Sequence, residues 1–176
     1  PNTAEDVNGN GVVDPGETDP DDPDTDQDGE DDQTETLAGD TDGDGRSDAV
    51  ESSLFDEDGD GVADEDDGDH TDGPCAGIRR IAGGAHTGDL TLGATCSPYL
   101  VDGPLVVTNG TLTVEAGVTV RFGRDAGLQI GDAQNSGILT VAGTSGSPVV
   151  LQSHAFAPAP GDWRGVRVTG GASVSV

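Results

Sequence analysis

From about residue 99 onward the chain alternates. Leu112, Val114, Val118, Val120 and Phe122 all fall on one parity, with Thr, Glu and Arg among the positions between them. That is the period-two signature of strands with one buried face. Short β-rich stretches continue to the end as PLVVTNG, TLTVEAGVTVRFG, AGLQIG, GILTVAG, SPVVLQS, GVRVTG and ASVSV, punctuated by Gly, Asn, Asp and Ser. Leu112-Thr-Val114 returns as Leu139-Thr-Val141, 27 residues on. Repeats of roughly 20–50 residues argue for a solenoid. A β-sandwich is the structural alternative, since its strands also come at regular intervals.

Residues 1–73 carry a different pattern, of carboxylates rather than apolar residues. Four twelve-residue segments, 6–17, 24–35, 40–51 and 56–67, place Asp or Asn at positions 1, 3 and 5, Gly at 6, Asp at 9 and Glu or Asp at 12. Calcium takes about six to eight hard oxygens, and carboxylates at alternate positions converge when the chain curls around the ion. Gly11, Gly29, Gly45 and Gly61 stand where that curl needs its sharpest turn. The seventh residue contributes a backbone carbonyl, which leaves its side chain free.

The candidate ligands are therefore Asp6, Asn8, Asn10, Val12, Asp14 and Glu17 in the first loop, and Asp24, Asp26, Asp28, Glu30, Asp32 and Glu35 in the second. The third loop offers Asp40, Asp42, Asp44, Arg46, Asp48 and Glu51, and the fourth Asp56, Asp58, Asp60, Val62, Asp64 and Asp67. Asn8 and Asn10 make the first site the weakest, and Asp67 is shorter than the Glu residues that close the other cages. Four loops call for about four or more calcium ions.

The linkers TDPDDP, TLAG and SSLF leave no room for the paired helices of an EF-hand, and Pro20 and Pro23 break helices. A sensor that opens a helix pair is therefore excluded. Ala49–Phe55 is expected to make at most a short helical turn, with Val50, Leu54 and Phe55 in a small apolar contact. Arg46 is expected to point outward, toward a neighbouring acidic loop.

Charge sharpens the division. Residues 1–73 hold 29 acidic residues against one arginine, the whole of the net charge of −28, while 74–176 balance six acids with six arginines. A segment so charged and so poor in apolar residues either stays disordered or folds around cations. Nucleic acid is not an expected partner, because phosphate contacts need basic patches. No apolar run approaches the ~20 residues of a membrane span. With no methionine, the chain is read as processed or excised.

The closely spaced loops, with GETDPDDPDTDQDG joining the first pair, resemble thrombospondin type 3 repeats of bacterial surface proteins. That resemblance implies a calcium-wrapped rod with little secondary structure. Cys75 and Cys96, the only cysteines, suggest a disulfide in a secreted context, closing a loop worth about 3 kcal/mol.

GTLTVEAGVTVRFGRDAGLQIG, GILTVAGTSGSPVVLQS and GDWRGVRV resemble the right-handed parallel β-helix of bacterial surface proteins. The fold class expected is thus an all-β right-handed parallel β-helix, a solenoid over 100–176. An irregular calcium-wrapped segment over 1–73 and a disulfide-stapled cap over 74–99 precede it. The chain closes on GASVSV, still strand-like, so further coils or a second subunit are expected to cover it.

Parallel β-helices also house polysaccharide lyases. Arg121, Arg124, Asp125, Asp132, Asp162, Arg164 and Arg167 would be the candidates here, but the expectation is that the chain is not an enzyme. Isolated charges on strands are usually a solvated face. His70, His86 and His154 lie far apart without motifs, Trp163 reads as packing at a turn, and Asn109-Gly-Thr111 fits an N-glycosylation sequon. Together these readings point to an extracellular or cell-surface structural or adhesive protein. Its partners would be calcium and surface glycans or proteins, or further copies of itself head to tail in a filament.

Overall fold

The described residues contain ten strands, all of them beyond residue 79. They are β1 (Arg80–Thr87), β2 (Leu90–Leu92), β3 (Tyr99–Thr108), β4 (Thr111–Val114), β5 (Thr119–Phe122), β6 (Gly127–Ile130), β7 (Ile138–Val141), β8 (Val150–Ser153), β9 (Val166–Val168) and β10 (Ser173–Ser175). The computed structural model describes residues 13–14, 16–35, 39–69 and 73–176. It divides the chain into two units, Pro1–Ala76 and Gly77–Val176.

In the second unit every strand pairing is parallel. One sheet runs β10-β7-β4-β2. The other is organised around β3, whose first half pairs with β5 and whose second half pairs with β6. From there β8 follows β5 and β9 follows β6, while β1 lies along both halves of β3. In chain order the strands thus return to the same three columns, as parallel strands require when tight hairpins cannot join them. The repeated Leu-Thr-Val pieces are one such return, because Leu112 sits in register with Leu139, Thr113 with Thr140 and Val114 with Val141.

The alternation read from the sequence is the burial pattern. Leu112, Val114, Val118, Val120 and Phe122 are all buried, and Leu105, Val107, Leu128 and Ile130 join them from the second column. Each buried side chain of this size contributes about 1.5–3 kcal/mol. Gly83 and Gly103 stand beside each other where the register between β1 and β3 shifts, and a Cβ on Gly83 would lie 2.9 Å from Gly103 backbone atoms. That close approach needs glycine in both strands.

Residues 77–99, within the expected cap, supply β1 and β2, in register with β3 and β4. The RIAGGAHT stretch of β1 is poor in β-branched and aromatic residues, so its own composition gives little strand signal. Its pairing comes from the neighbour. Cys75 and Cys96 are disulfide-bonded, as the cysteine count suggested.

The first unit has no strand among its described residues. Its regular structure is two single 3-10 turns, Asp48–Val50 and Asp64–Asp66, each beginning at the ninth position of a loop. Ala49 and Phe55 are buried, whereas Leu54, expected in the same contact, is 49% exposed. Apolar contact is thus sparse, and the loops are held mainly by hydrogen bonds.

Candidate metal centre

Three of the four acidic loops fall within the described residues, and they share one construction. In each, the carboxylates at positions 1, 3 and 5 offer oxygens that lie within 4.8 Å of one another. The groups are Asp24, Asp26 and Asp28, then Asp40, Asp42 and Asp44, then Asp56, Asp58 and Asp60. Gly29, Gly45 and Gly61 at position 6 have φ of 105°, 100° and 104°, where a Cβ would be strained.

Backbone amides fix the carboxylates in place. The third-position side chain accepts from the amide of position 5, and the fifth from that of position 7, as in Asp44 N to Asp42 Oδ1 (3.0 Å) and Arg46 N to Asp44 Oδ1 (2.7 Å). The other two loops repeat both bonds. The first-position Asp40 takes the amides of Gly43 and Gly45, and Asp56 those of Gly59 and Gly61.

The ninth-position aspartates have a different setting. Both oxygens of Asp48 accept from Thr41, one from its amide (2.8 Å) and one from its hydroxyl (3.0 Å). Asp32 does the same with Thr25, and Asp64 accepts from the amide of Glu57. The amides of Asp32, Asp48 and Asp64 in turn donate to the carbonyls of Pro23, Gly39 and Phe55. These buried aspartates staple the start of each loop to its far side. A threonine at position 2 of both the second and third loops was the available sequence signal for this pairing.

Asp24 Oδ1, Asp26 Oδ2 and Glu35 Oε2 are enclosed and have no hydrogen-bond partner. Burial first, then the neighbouring Asp28 and Glu35, push the Asp26 carboxyl up to about 9. Burial, then Asp28, Asp32 and Glu65, push Glu35 up to about 8. Asp24 is also raised, by burial and then by Asp28. Enclosed, mutually repelling carboxylates with unused lone pairs fit a hard divalent cation. In loop 40–51 the Oδ2 of Asp42 is likewise enclosed without a partner.

The loops also touch. Asp28 of the second loop accepts from both the amide and the hydroxyl of Ser53, in the linker after the third. Glu65 of the fourth is raised by burial and then by Asp48 and Asp28. Sequence reading missed Ser53, since no local pattern announces a partner 25 residues away. Arg46 does not reach a neighbouring loop. Its guanidinium lies 3.4 Å from Glu51, the closing carboxylate of its own loop, because the nearest dense negative charge is local.

Asp6, Asn8, Asn10 and Val12 of the first loop lie outside the described residues, as does His70. Of that loop, Glu17 is buried and its Oε2 accepts from the amide of Asp14 (2.9 Å). Asp67, closing the fourth loop, holds the amide of Asp69. Glu30 and Val62 occupy their seventh positions with amides bound as above.

In the strand unit three of the remaining candidates, Asp125, Asp162 and Arg164, lie close together, the Asp125 amide donating to the Asp162 carbonyl (3.0 Å). Trp163 stacks on Phe122, centroids 4.3 Å apart and planes 8° from parallel, which is packing. Asp125 pairs with Arg164 at 3.2 Å on the surface. Asp162 accepts from the Ser153 hydroxyl and the Ala159 amide. Asp132 is held below the usual carboxylate range by the amide of Gln134 and by Asn135. The Asn109 side-chain amide donates to Asn135 (3.2 Å).

The family model described as a pectate-lyase-like beta helix domain matches residues 84–175, more than half of the chain. The chain belongs to this family. No curated protein and no solved structure matches it. The pectate-lyase-like β-helix domain coincides with the parallel-strand unit from within β1 to the end of β10. Its description refers to an enzyme, so membership does not support the expectation of a non-catalytic chain. The acidic loops lie outside the matched residues. No helix among the described residues is long and apolar enough to cross a membrane.

Proposed function

We propose that this chain is an extracellular, calcium-stabilised structural or adhesive protein, in which thrombospondin type 3-like loops form a stalk ahead of a parallel β-helix solenoid. The observation that carries the reading is the repeated convergence of first, third and fifth carboxylates, with enclosed, partnerless oxygens in loops 24–35 and 40–51. Calcium would be held by the side chains at positions 1, 3, 5 and 12 and the carbonyl at position 7. Asp32, Asp48 and Asp64 would position the loop. When bound, the ion supplies the positive charge that lets these carboxylates stay ionised and close together. Stiffness would then follow external calcium, with the modest affinity usual for extracellular modules.

The test is small-angle scattering on the full chain in calcium and in EDTA, with terbium luminescence reporting loop occupancy. Calcium is expected to lower the radius of gyration and sharpen the scattering profile. Unchanged profiles together with absent terbium binding would remove the reading. Head-to-tail assembly into a filament is the variant in which copies associate, and sedimentation velocity in calcium distinguishes it.

A polysaccharide-active enzyme is the second reading, supported by the family description and by Arg121. Burial, then the Arg79 guanidinium, lower the Arg121 pKa, which is the direction a proton-accepting arginine needs. Inactivity on acidic polysaccharides with calcium present would exclude it.

A further inference from the structure

The chain holds three Asp–Pro bonds, at 14–15, 19–20 and 22–23, and Pro15 lies outside the described residues. In such a pair the aspartate carboxylate can reach its own backbone carbonyl carbon by closing a cyclic anhydride. The nitrogen that leaves belongs to a tertiary amide, which takes up a proton on departure more readily than a secondary amide does. Well-oriented intramolecular partners of this kind react as if present at about 10⁵–10⁸ M.

The fold prepares one of these bonds. Residues 19–22 form a turn with Pro20 in its second place. The Asp22 amide donates to the Asp19 carbonyl oxygen (2.9 Å). That oxygen becomes an oxyanion when its carbon is attacked, so a donor already in place stabilises the tetrahedral intermediate. The Asp21 amide donates to Asp19 Oδ1, also at 2.9 Å, and so holds the carboxylate toward the chain that follows it. The Asp19 amide is itself anchored on Thr25 Oγ1 (2.9 Å), whose hydroxyl donates to Asp32. Pro20 is exposed, so water reaches the bond. At Asp22–Pro23 the corresponding donor is committed elsewhere: the Thr25 amide, three residues on from Asp22, donates to Asp32 Oδ1 (2.8 Å).

We propose that the chain cleaves itself at Asp19–Pro20, separating residues 1–19 from 20–176. One oxygen of the Asp19 carboxylate attacks the Asp19 carbonyl carbon, and the carbonyl electron pair moves onto the oxygen that faces the Asp22 amide. As the carbonyl re-forms, the C–N bond to Pro20 breaks. The proline nitrogen takes a proton from solvent and leaves as a secondary amine. The anhydride on Asp19 then takes up one water and opens to its side-chain carboxyl and a new terminal carboxyl. One water is consumed, one peptide bond is hydrolysed, and nothing is oxidised or reduced. The reaction is independent of the calcium reading.

The experiment incubates the full chain for weeks in one buffer at one pH, folded and in parallel in guanidinium chloride, and follows the fragments by mass spectrometry. Unfolded, the 19–20 and 22–23 bonds should break at similar rates, because their local chemistry is the same. Folded, cleavage at 19–20 should exceed that at 22–23 by at least about tenfold, since one oxyanion donor is worth about 10²–10³ in rate in a built site. In heavy-oxygen water the label should enter both the side-chain and the terminal carboxyl of Asp19. Direct attack by water, or by a contaminating protease, labels the terminal carboxyl alone.

Asp19→Ala removes the nucleophile and should abolish cleavage at that bond. Should it fail to fold, Pro20→Ala keeps every carboxylate and should slow cleavage by making the leaving nitrogen that of a secondary amide. Equal rates at the two bonds in the folded chain, an intact 19–20 bond, cleavage that survives Asp19→Ala, or label in the terminal carboxyl alone would each overturn the proposal.

Discussion

Calcium binding to loop 24–35 is expected to expel protons near neutral pH. Without the ion, the Asp26 carboxyl is pushed up to about 9 and that of Glu35 to about 8, from ordinary values of 3.8 and 4.5. Burial is the largest cause in both cases, followed by neighbouring carboxylates. The sign follows from linkage: a carboxyl raised on folding favours the fold while protonated in both states. That contribution is complete below its ordinary value and is lost as pH climbs through the raised one. The calcium-free loop should therefore weaken from about pH 4 toward pH 8–9.

For Asp26 alone, the loss at pH 7 relative to acid reaches up to about 4 kcal/mol, from roughly three pH units at 1.36 kcal/mol each. Calcium is expected to reverse the trend, because its binding needs both groups ionised and competes with their protons. At pH 7 about two protons should leave on binding, one each from Asp26 and Glu35.

The direct assay is carboxyl carbon NMR of the full chain, titrated in EDTA and in calcium. Both groups should titrate well above pH 6 in EDTA and below pH 5 in calcium. Calorimetry in buffers of different ionisation enthalpy counts the protons released. If Asp26 and Glu35 titrated near 4 in EDTA, or if no protons left on binding, the picture of enclosed carboxylates awaiting a cation would be refuted.

Other expectations are simpler. Thr41→Val removes the hydroxyl that holds Asp48, and the loss of a hydrogen bond to a charged acceptor, about 1.5–3 kcal/mol, should weaken calcium binding to that loop by at least tenfold in a terbium competition titration. Ser53→Ala breaks the tie to Asp28, so the calcium isotherm of the full chain should become less cooperative. Phe122→Ala empties a buried position stacked on Trp163 and should cost about 3–5 kcal/mol in denaturant unfolding followed by Trp163 fluorescence. Asp125→Asn breaks only an exposed pair with Arg164, and melting should register a change within about 0.5 kcal/mol.

Two features were open to sequence reading because their causes are local. The period-two run through Leu112, Val114, Val118, Val120 and Phe122 follows from the pleat of a strand, and those side chains are buried. Aspartates at alternate positions with glycine sixth describe a tight loop whatever surrounds it, and loops 24–35, 40–51 and 56–67 bring their first three carboxylates together. The cysteine count likewise sufficed for the Cys75–Cys96 bond.

The remaining features depend on residues far apart in the chain. RIAGGAHT becomes β1 only because β3 offers it a parallel edge and a matching pair of glycines. Ser53 finds Asp28 across 25 residues, and Gly73 finds Asp58 across fifteen. Burial of Asp26 and Glu35, and with it their affinity for protons, is likewise a property of how the loops pack. Composition and spacing reveal local geometry, because backbone sterics act over a few residues. Partnership, enclosure and charge coupling were decided by the tertiary structure, because hydrogen bonds and electrostatic repulsion depend on distance in space.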